Sequence, residues 1–334
     1  MERICQRQVI GFFIESTHAT AMEADEPHPD VQPMIARQRR MQYLPTGLIG
    51  ARGIRWLAAL AQRFEDDDPP EVGRVAEGEI SGPDEALPVR TYRPAGQGPY
   101  PTVVFFHGGG FVLGDLDSHD HLCRRLTVET GCEVVAVDYR LAPENPFPAA
   151  VEDAYAAVEW AADDPDALDR DGGLAVVGDS AGGNLAAVAA LMAAERDGPD
   201  INYQALLYPA VGTREDQQSM QDHAGMILSE SDIRWFDECY YGSEVHRRNP
   251  YGDPSRACDL SDVAPATVVT AGFDPLRDGG KAYAEQLVEA GVPTRFRNCE
   301  DLVHGFFGLL GQDVDPVEAA IEAVGDDLRD ALDP

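Results

Sequence analysis

Lysine is nearly missing from this chain: Lys281 is the only one, and arginine supplies the rest of 26 basic residues set against 59 acidic ones. The formal net charge is −33, and so acidic a surface repels nucleic acid and anionic membranes. Long apolar runs are missing as well. With no stretch of eighteen apolar residues, nothing in the sequence is expected to span a membrane. Cysteine is sparse, and Cys5, Cys123, Cys132, Cys239, Cys258 and Cys299 are scattered without the paired spacing of a metal site. Near the N-terminus the apolar stretch Val9 to Ile14 is interrupted and too short for a secretory signal, so reduced thiols and a cytoplasmic protein are expected. Acids are rare in the first 21 residues, which hold only Glu2 and Glu15. Residues 1–29 therefore read as an extension, disordered or added by a start placed too early, with Met22 the true start. Self-repulsion at −33 destabilises a compact chain in dilute salt, and halophiles use this lever. Lysine depletion with arginine retained points to an enzyme of a salt-accumulating extreme halophile.

What is present is enough apolar residue to build one large core and a small accessory piece: 44% of 334 residues. Residues 72–80, 87–92, 102–106, 133–137, 174–178, 203–208, 267–271 and 294–298 read as strands. The first two lie close together and predict an antiparallel hairpin edge. The later six alternate with helical patterns, which predicts an α/β fold whose mostly parallel eight-stranded sheet carries helices on both faces.

A motif series is laid over this alternation. His107-Gly108-Gly109-Gly110 follows the apolar run 103–106, and Gly178-Asp179-Ser180-Ala181-Gly182 follows the run 174–177. A Gly-x-Ser-x-Gly pentapeptide alone arises by chance in about one chain in ten of this length. Here it sits between a strand pattern and the small-residue helical pattern Ala181 to Ala194, which places Ser180 on the strand-to-helix turn that a nucleophile elbow requires. A serine hydroxyl needs a base to take its proton and an acid to orient that base. Asp274, after the run 266–270, and His304, in an apolar Gly-containing turn thirty residues on, suit those roles; Asp278 is the rival acid. The Ala181 amide and amides of Gly108, Gly109 and Gly110 are candidate oxyanion donors, with the two glycine donors left open.

These segments, HGGGFVLG at 107–114, DYRLAPE at 138–144, GDSAGGNLA at 178–186, DPLRD at 274–278 and His304-Gly305-Phe306, together resemble the hormone-sensitive-lipase-like carboxylesterases, the bacterial and archaeal group called family IV. The resemblance is specific over residues 100–310 and weaker from about residue 30. It implies the α/β-hydrolase fold, with Ser180 as nucleophile, His304 as base, Asp274 as acid, and the glycine loop with Ala181 as oxyanion hole. It also implies a small-molecule ester substrate, no cofactor, and an acyl-enzyme route for short to medium acyl chains. Non-catalytic plant relatives, the gibberellin receptors, lack the histidine that this chain keeps. Corresponding segments of the family form a helical cap, expected here from residues 30–70, which close on the linker-like Asp66-Asp67-Asp68-Pro69-Pro70, and from an insertion at about 212–246; residues 71–334 otherwise form the catalytic domain. The rival functions are an amidase or peptidase with the same triad, and a non-catalytic small-molecule binder.

Three further clusters have plainer explanations. Asp115, Asp117, His119, Asp120 and His121 mix metal-ligand types, yet they continue the glycine loop into a helix whose start Ser118 or Asp117 can cap, so no metal is expected. The acidic run Asp163 to Asp171 lacks the ligand spacing and closing glutamate of a calcium loop and reads as a solvated loop. Arg140 and Glu144 of DYRLAPE are expected to pair as structural support.

Overall fold

The computed structural model describes residues 22–41, 46–62, 69–163, 168 and 170–332. Of the expected extension over 1–29, residues 1–21 lie outside them, as do the linker acids at 66–68 and most of the acidic run, 164–167 and 169, whereas within 22–29 the Ala24 amide binds the Glu300 carbonyl at 2.9 Å and the His28 amide the Asp301 carbonyl at 2.8 Å. Eight strands take up the apolar runs: β1 (Arg74–Ser81), β2 (Ala86–Arg93), β3 (Tyr100–Phe106), β4 (Glu133–Val137), β5 (Arg170–Asp179), β6 (Tyr203–Leu207), β7 (Ala266–Phe273) and β8 (Thr294–Val303). They form one sheet in the order β1-β2-β4-β3-β5-β6-β7-β8. The hairpin β1–β2 is antiparallel and β2 runs antiparallel to β4, whereas β3 to β8 are parallel throughout.

Continuous apolar strands make sense only if both faces are covered. Along β3, Val104 and Phe106 enter one buried cluster and Val103 and Phe105 the opposite one, as the two-residue period of a strand requires. Helices α4 (Ala149–Asp163), α5 (Ala181–Glu195) and α9 (Arg277–Glu289) pack on the first face. On the second lie α3 (Asp120–Thr130) and α10 (Asp315–Leu332). Helix α5 is buried over its whole run from Ala181 to Ala193, which is why alanine and glycine fill it: a side chain at Gly182 would collide with the Phe106 carbonyl.

Two groups of helices stand outside these layers. Helices α1 (Gln32–Met41) and α2 (Thr46–Gln62) precede the sheet, with α2 broken at Gly50, whose φ is 68°. Between β6 and β7 come α6 (Gln218–His223), α7 (Glu230–Tyr240), opened by a capping box at Ser229 and Asp232, and α8 (Glu244–Arg247). None of the helices among the described residues is long and apolar enough to cross a membrane.

The DYRLAPE loop departs from expectation. Arg140 pairs with buried Asp153 (Nη2–Oδ1 2.8 Å) and with Asp84, not with Glu144. Glu144 instead binds Arg52 at 2.8 Å and Arg55 at 2.9 Å, both on α2. The sheet order explains the exchange: α4 brings Asp153 under the strand end, while Glu144 projects toward the N-terminal helices. Nor does Ser118 or Asp117 cap α3. His119 takes that position without a side-chain cap bond, and the Ser118 hydroxyl turns back to Asp115.

Candidate active site

The carboxyl ends of β3, β5, β7 and β8 carry, in turn, the glycine loop, Ser180, Asp274 and His304, the edge at which open α/β sheets bind ligands. Ser180 sits at φ 53°, ψ −114° in the turn between β5 and α5. Such a left-handed backbone is costly for a residue with a side chain and persists where the surroundings enforce it. Flanking glycines make it possible: at Gly178 a Cβ would strike the Gly182 carbonyl. The Ser180 amide is held by the Leu207 carbonyl at 2.8 Å.

His304 Nε2 lies 3.0 Å from Ser180 Oγ, and His304 Nδ1 lies 2.8 Å from Asp274 Oδ2. A carboxylate only accepts, so Nδ1 carries the hydrogen and Nε2 presents its lone pair to the serine hydroxyl. Asp274 is fully buried, and its other oxygen accepts the Leu276 amide at 2.8 Å. The rival Asp278 is committed elsewhere, to the Ser219 amide at 2.9 Å and Arg277 Nε at 3.1 Å. The Tyr208 ring meets the His304 ring edge-on at 5.1 Å.

Of the four candidate oxyanion donors one is withdrawn. The Gly108 amide donates to Asp179 Oδ1 at 2.7 Å, so it is not free for a substrate. The Gly109, Gly110 and Ala181 amides bind no acceptor among the described residues. Gly109 (φ 117°) and Gly110 (φ 63°) adopt backbone that favours glycine, and a Cβ on Gly110 would run into the Phe236 ring. The loop is braced from DYRLAPE: Tyr139 donates to the His107 carbonyl at 2.8 Å and stacks on its ring at 4.3 Å, and the Ala142 amide binds the Phe111 carbonyl at 2.9 Å.

A cavity of about 1320 Å³ opens over Ser180 and His304. Its walls include Met34 of α1, Ile233 and Phe236 of α7, and Leu309 beyond β8.

Two groups of site residues escaped the sequence reading. Asp179 had no role in the pentapeptide beyond its spacing, yet it is buried, anchors Gly108, and pairs with His119 at 3.2 Å. An ionisable side chain beside the nucleophile, after an apolar strand, was the only available signal. Behind Asp274, Glu23 accepts from Arg277 Nη1 at 2.8 Å and contacts His223 Nε2 at 2.7 Å, while Arg277 also clamps the Gly272 carbonyl. This clamp joins residues 254 positions apart, and nothing local announces it.

The fold and site place the chain in a known class. A family model described as alpha/beta hydrolase fold matches residues 103–308, and the chain belongs to that family. It is 44% identical over 278 residues to the esterase LipI of Mycobacterium tuberculosis, across 80% of this chain and 85% of that protein. Among solved structures, a hyperthermophilic esterase from the archaeon Pyrobaculum calidifontis is 37% identical with a TM-score of 0.82, covering 91% of this chain and 98% of its own. A thermostable esterase from Pseudomonas putida superimposes with a TM-score of 0.86 at 33% identity, covering 93% and 99%.

Proposed function

We propose that this protein is a carboxylic ester hydrolase of short to medium acyl esters, with Ser180 as nucleophile, His304 as general base and acid, and Asp274 as the residue that orients His304. The observation that carries the reading is the hydrogen-bonded series Asp274–His304–Ser180, at 2.8 and 3.0 Å, opening into one large cavity. His304 takes the serine proton as Oγ attacks the ester carbonyl, and Asp274 stabilises the imidazolium that forms. The oxyanion is received by the unoccupied amides of Gly109, Gly110 and Ala181, preorganised where charge develops. His304 then protonates the departing alcohol, and a water activated by the same histidine frees the acid from Ser180. Esterase names among the relatives support this choice over an amidase.

The walls contributed by α1 and by the insertion carrying α7 support a role for both segments as a cap that encloses a finite acyl site. The charge of −33 with a single lysine supports work in a salt-rich cytoplasm. The direct test is hydrolysis of p-nitrophenyl butyrate in molar salt by the unaltered protein and by Ser180→Ala. The variant is expected to fold and to lose activity down to the small residue that oxyanion donors alone provide. Near-full turnover by the variant, or phosphonate labelling of another residue, overturns the assignment. Faster cleavage of the p-nitroanilide than of the ester would make the protein an amidase.

A further inference from the structure

His119 lines the same cavity as the glycine loop, and the groups around its ring favour the charged form. Ser118 Oγ accepts the Asp115 amide at 2.9 Å and gives its one proton to the Asp115 carbonyl at 2.8 Å. With that proton on the Asp115 carbonyl, a lone pair of the hydroxyl faces His119 Nδ1 at 2.9 Å, the arrangement in which Nδ1 donates. On the other side Nε2 faces Asp179 Oδ1 at 3.2 Å, the same oxygen that accepts the Gly108 amide. With the Ser118 proton so placed, both ring nitrogens point at acceptors, and only the imidazolium donates from both.

The groups around the ring agree. Asp179 approaches from the end of β5, Asp115 from the loop, and His107 from the end of β3 with ring centroids 5.5 Å apart, and the Phe105 ring lies 5.9 Å away. His107 adds no competing charge, because burial pushes it down to about 4 and its Nδ1 donates to the Gly108 carbonyl at 2.8 Å. Burial also disfavours a charged His119, but Asp179 and then Asp115 more than offset it and hold the imidazole above its ordinary value. Asp179 is correspondingly held below the usual carboxylate range, burial being outweighed by His119.

We propose that His119 is a positioning residue for ester hydrolysis: as a cation paired with Asp179 it fixes the carboxylate that pins the Gly108 amide, and this sets Gly109 and Gly110 to face the oxyanion. The inference rests on the esterase reading above. Its physical logic is that Gly108 has no room to settle otherwise, since a Cβ there would strike the Asp179 carboxylate, so a shift of Asp179 is passed directly to the loop. Oxyanion donors act only when held close to productive geometry.

The test compares His119→Gln, Asp179→Asn and the double variant on p-nitrophenyl butyrate, beside imidazole 15N NMR of the unaltered protein. Loss of one oxyanion donor costs about a hundredfold to a thousandfold in kcat, so loosening of the loop by His119→Gln is expected to cost about tenfold to a hundredfold. KM should stay within about twofold, because the contact is made in the transition state. The double variant should be no worse than His119→Gln alone, because the neutral side-chain amide introduced by Asp179→Asn still accepts the Gly108 N–H and leaves no unpaired charge. The His119 ring should lose its second proton only above the ordinary histidine value of about 6.5. A raised KM with unchanged kcat would reduce His119 to a cavity-wall contact and overturn the proposal. So would titration of His119 at its ordinary value, a measurement that stands even if a variant fails to fold. Failure of the unaltered protein to cleave any ester sinks the esterase reading, whereas an active protein with an ordinary His119 sinks this inference alone.

Discussion

Asp274 and Asp278 stand within one turn of each other, carry the same functional group and differ in what surrounds them. Asp274 is fully buried with one oxygen on His304, while Asp278 spends both on the Ser219 amide and Arg277. Replacing Asp274 by Asn keeps the shape but offers an amide that favours the wrong imidazole tautomer, so kcat is expected to fall on the order of ten-thousandfold. Asp278→Asn should leave turnover within a few-fold and lower the melting temperature through weaker anchoring of α6. Parallel kinetics and melts of the two variants check this; equal loss at Asp278 with Asp274 silent would exchange their roles. Ser180 illustrates the same scale from the backbone side, because its positive φ is imposed by the turn and tolerated only with glycine at 178 and 182.

At the scale of elements, α2 is tied to both loops that support the site. Arg55 donates to the Val112 carbonyl at 2.6 Å, to the Ala142 carbonyl, and to Glu144, which also holds Arg52. Hydrogen bonds first from Arg55 and then from Arg52 outweigh burial and hold the Glu144 carboxyl down to about 2. A depressed carboxyl stabilises the fold fully above its ordinary value of 4.5, and the contribution is lost as pH falls from there toward about 2. Glu144→Gln should therefore lower the melting temperature at pH 7 by a few degrees, from about 1 kcal/mol for a partly exposed pair. The gap should narrow between pH 4.5 and 3, which thermal melts across that range will read. A constant gap would mean that Glu144 acts by packing and not by charge. The helices α1 and α7 on the cavity wall lead to a second expectation, that rates on p-nitrophenyl esters peak at short to medium acyl chains. A steady climb from butyrate to palmitate would show that these segments do not enclose the site.

The whole molecule is governed by its charge. At −33, repulsion among surface carboxylates opposes compaction, and it is screened over about 10 Å at 0.1 M salt but about 3 Å at 1 M. Melting temperature and ester hydrolysis should rise together from 0.1 M to 3 M KCl and fall on dialysis to low salt. An unchanged melting temperature over that range would remove the halophile reading and leave the esterase reading intact, since the triad does not depend on net charge.

Read alone, the sequence determined the strands, their parallel arrangement and the place of each motif at a strand end. These follow from contiguous residues: the two-residue period and apolar runs define β3 to β8, and glycine at 178 and 182 marks the one turn where Ser180 can sit. Motif order along the chain, together with the family resemblance, then nominated Asp274 and His304, and in a parallel sheet successive strand ends lie on the same edge. Tertiary structure alone decided how polar groups are shared among those ends. Gly108 looks like its two neighbours in sequence, but Asp179, 71 residues away on the adjacent strand, claims its amide. Arg140 and Glu144 are four residues apart, yet each prefers a partner brought up from another helix. His119 gains its charge, and Glu23 its hold on Arg277, only where the sheet and its covering helices bring distant side chains within hydrogen-bond reach. Backbone conformation is set by near neighbours along the chain, whereas the partner of a buried polar group is set by whichever group packing leaves within about 3 Å.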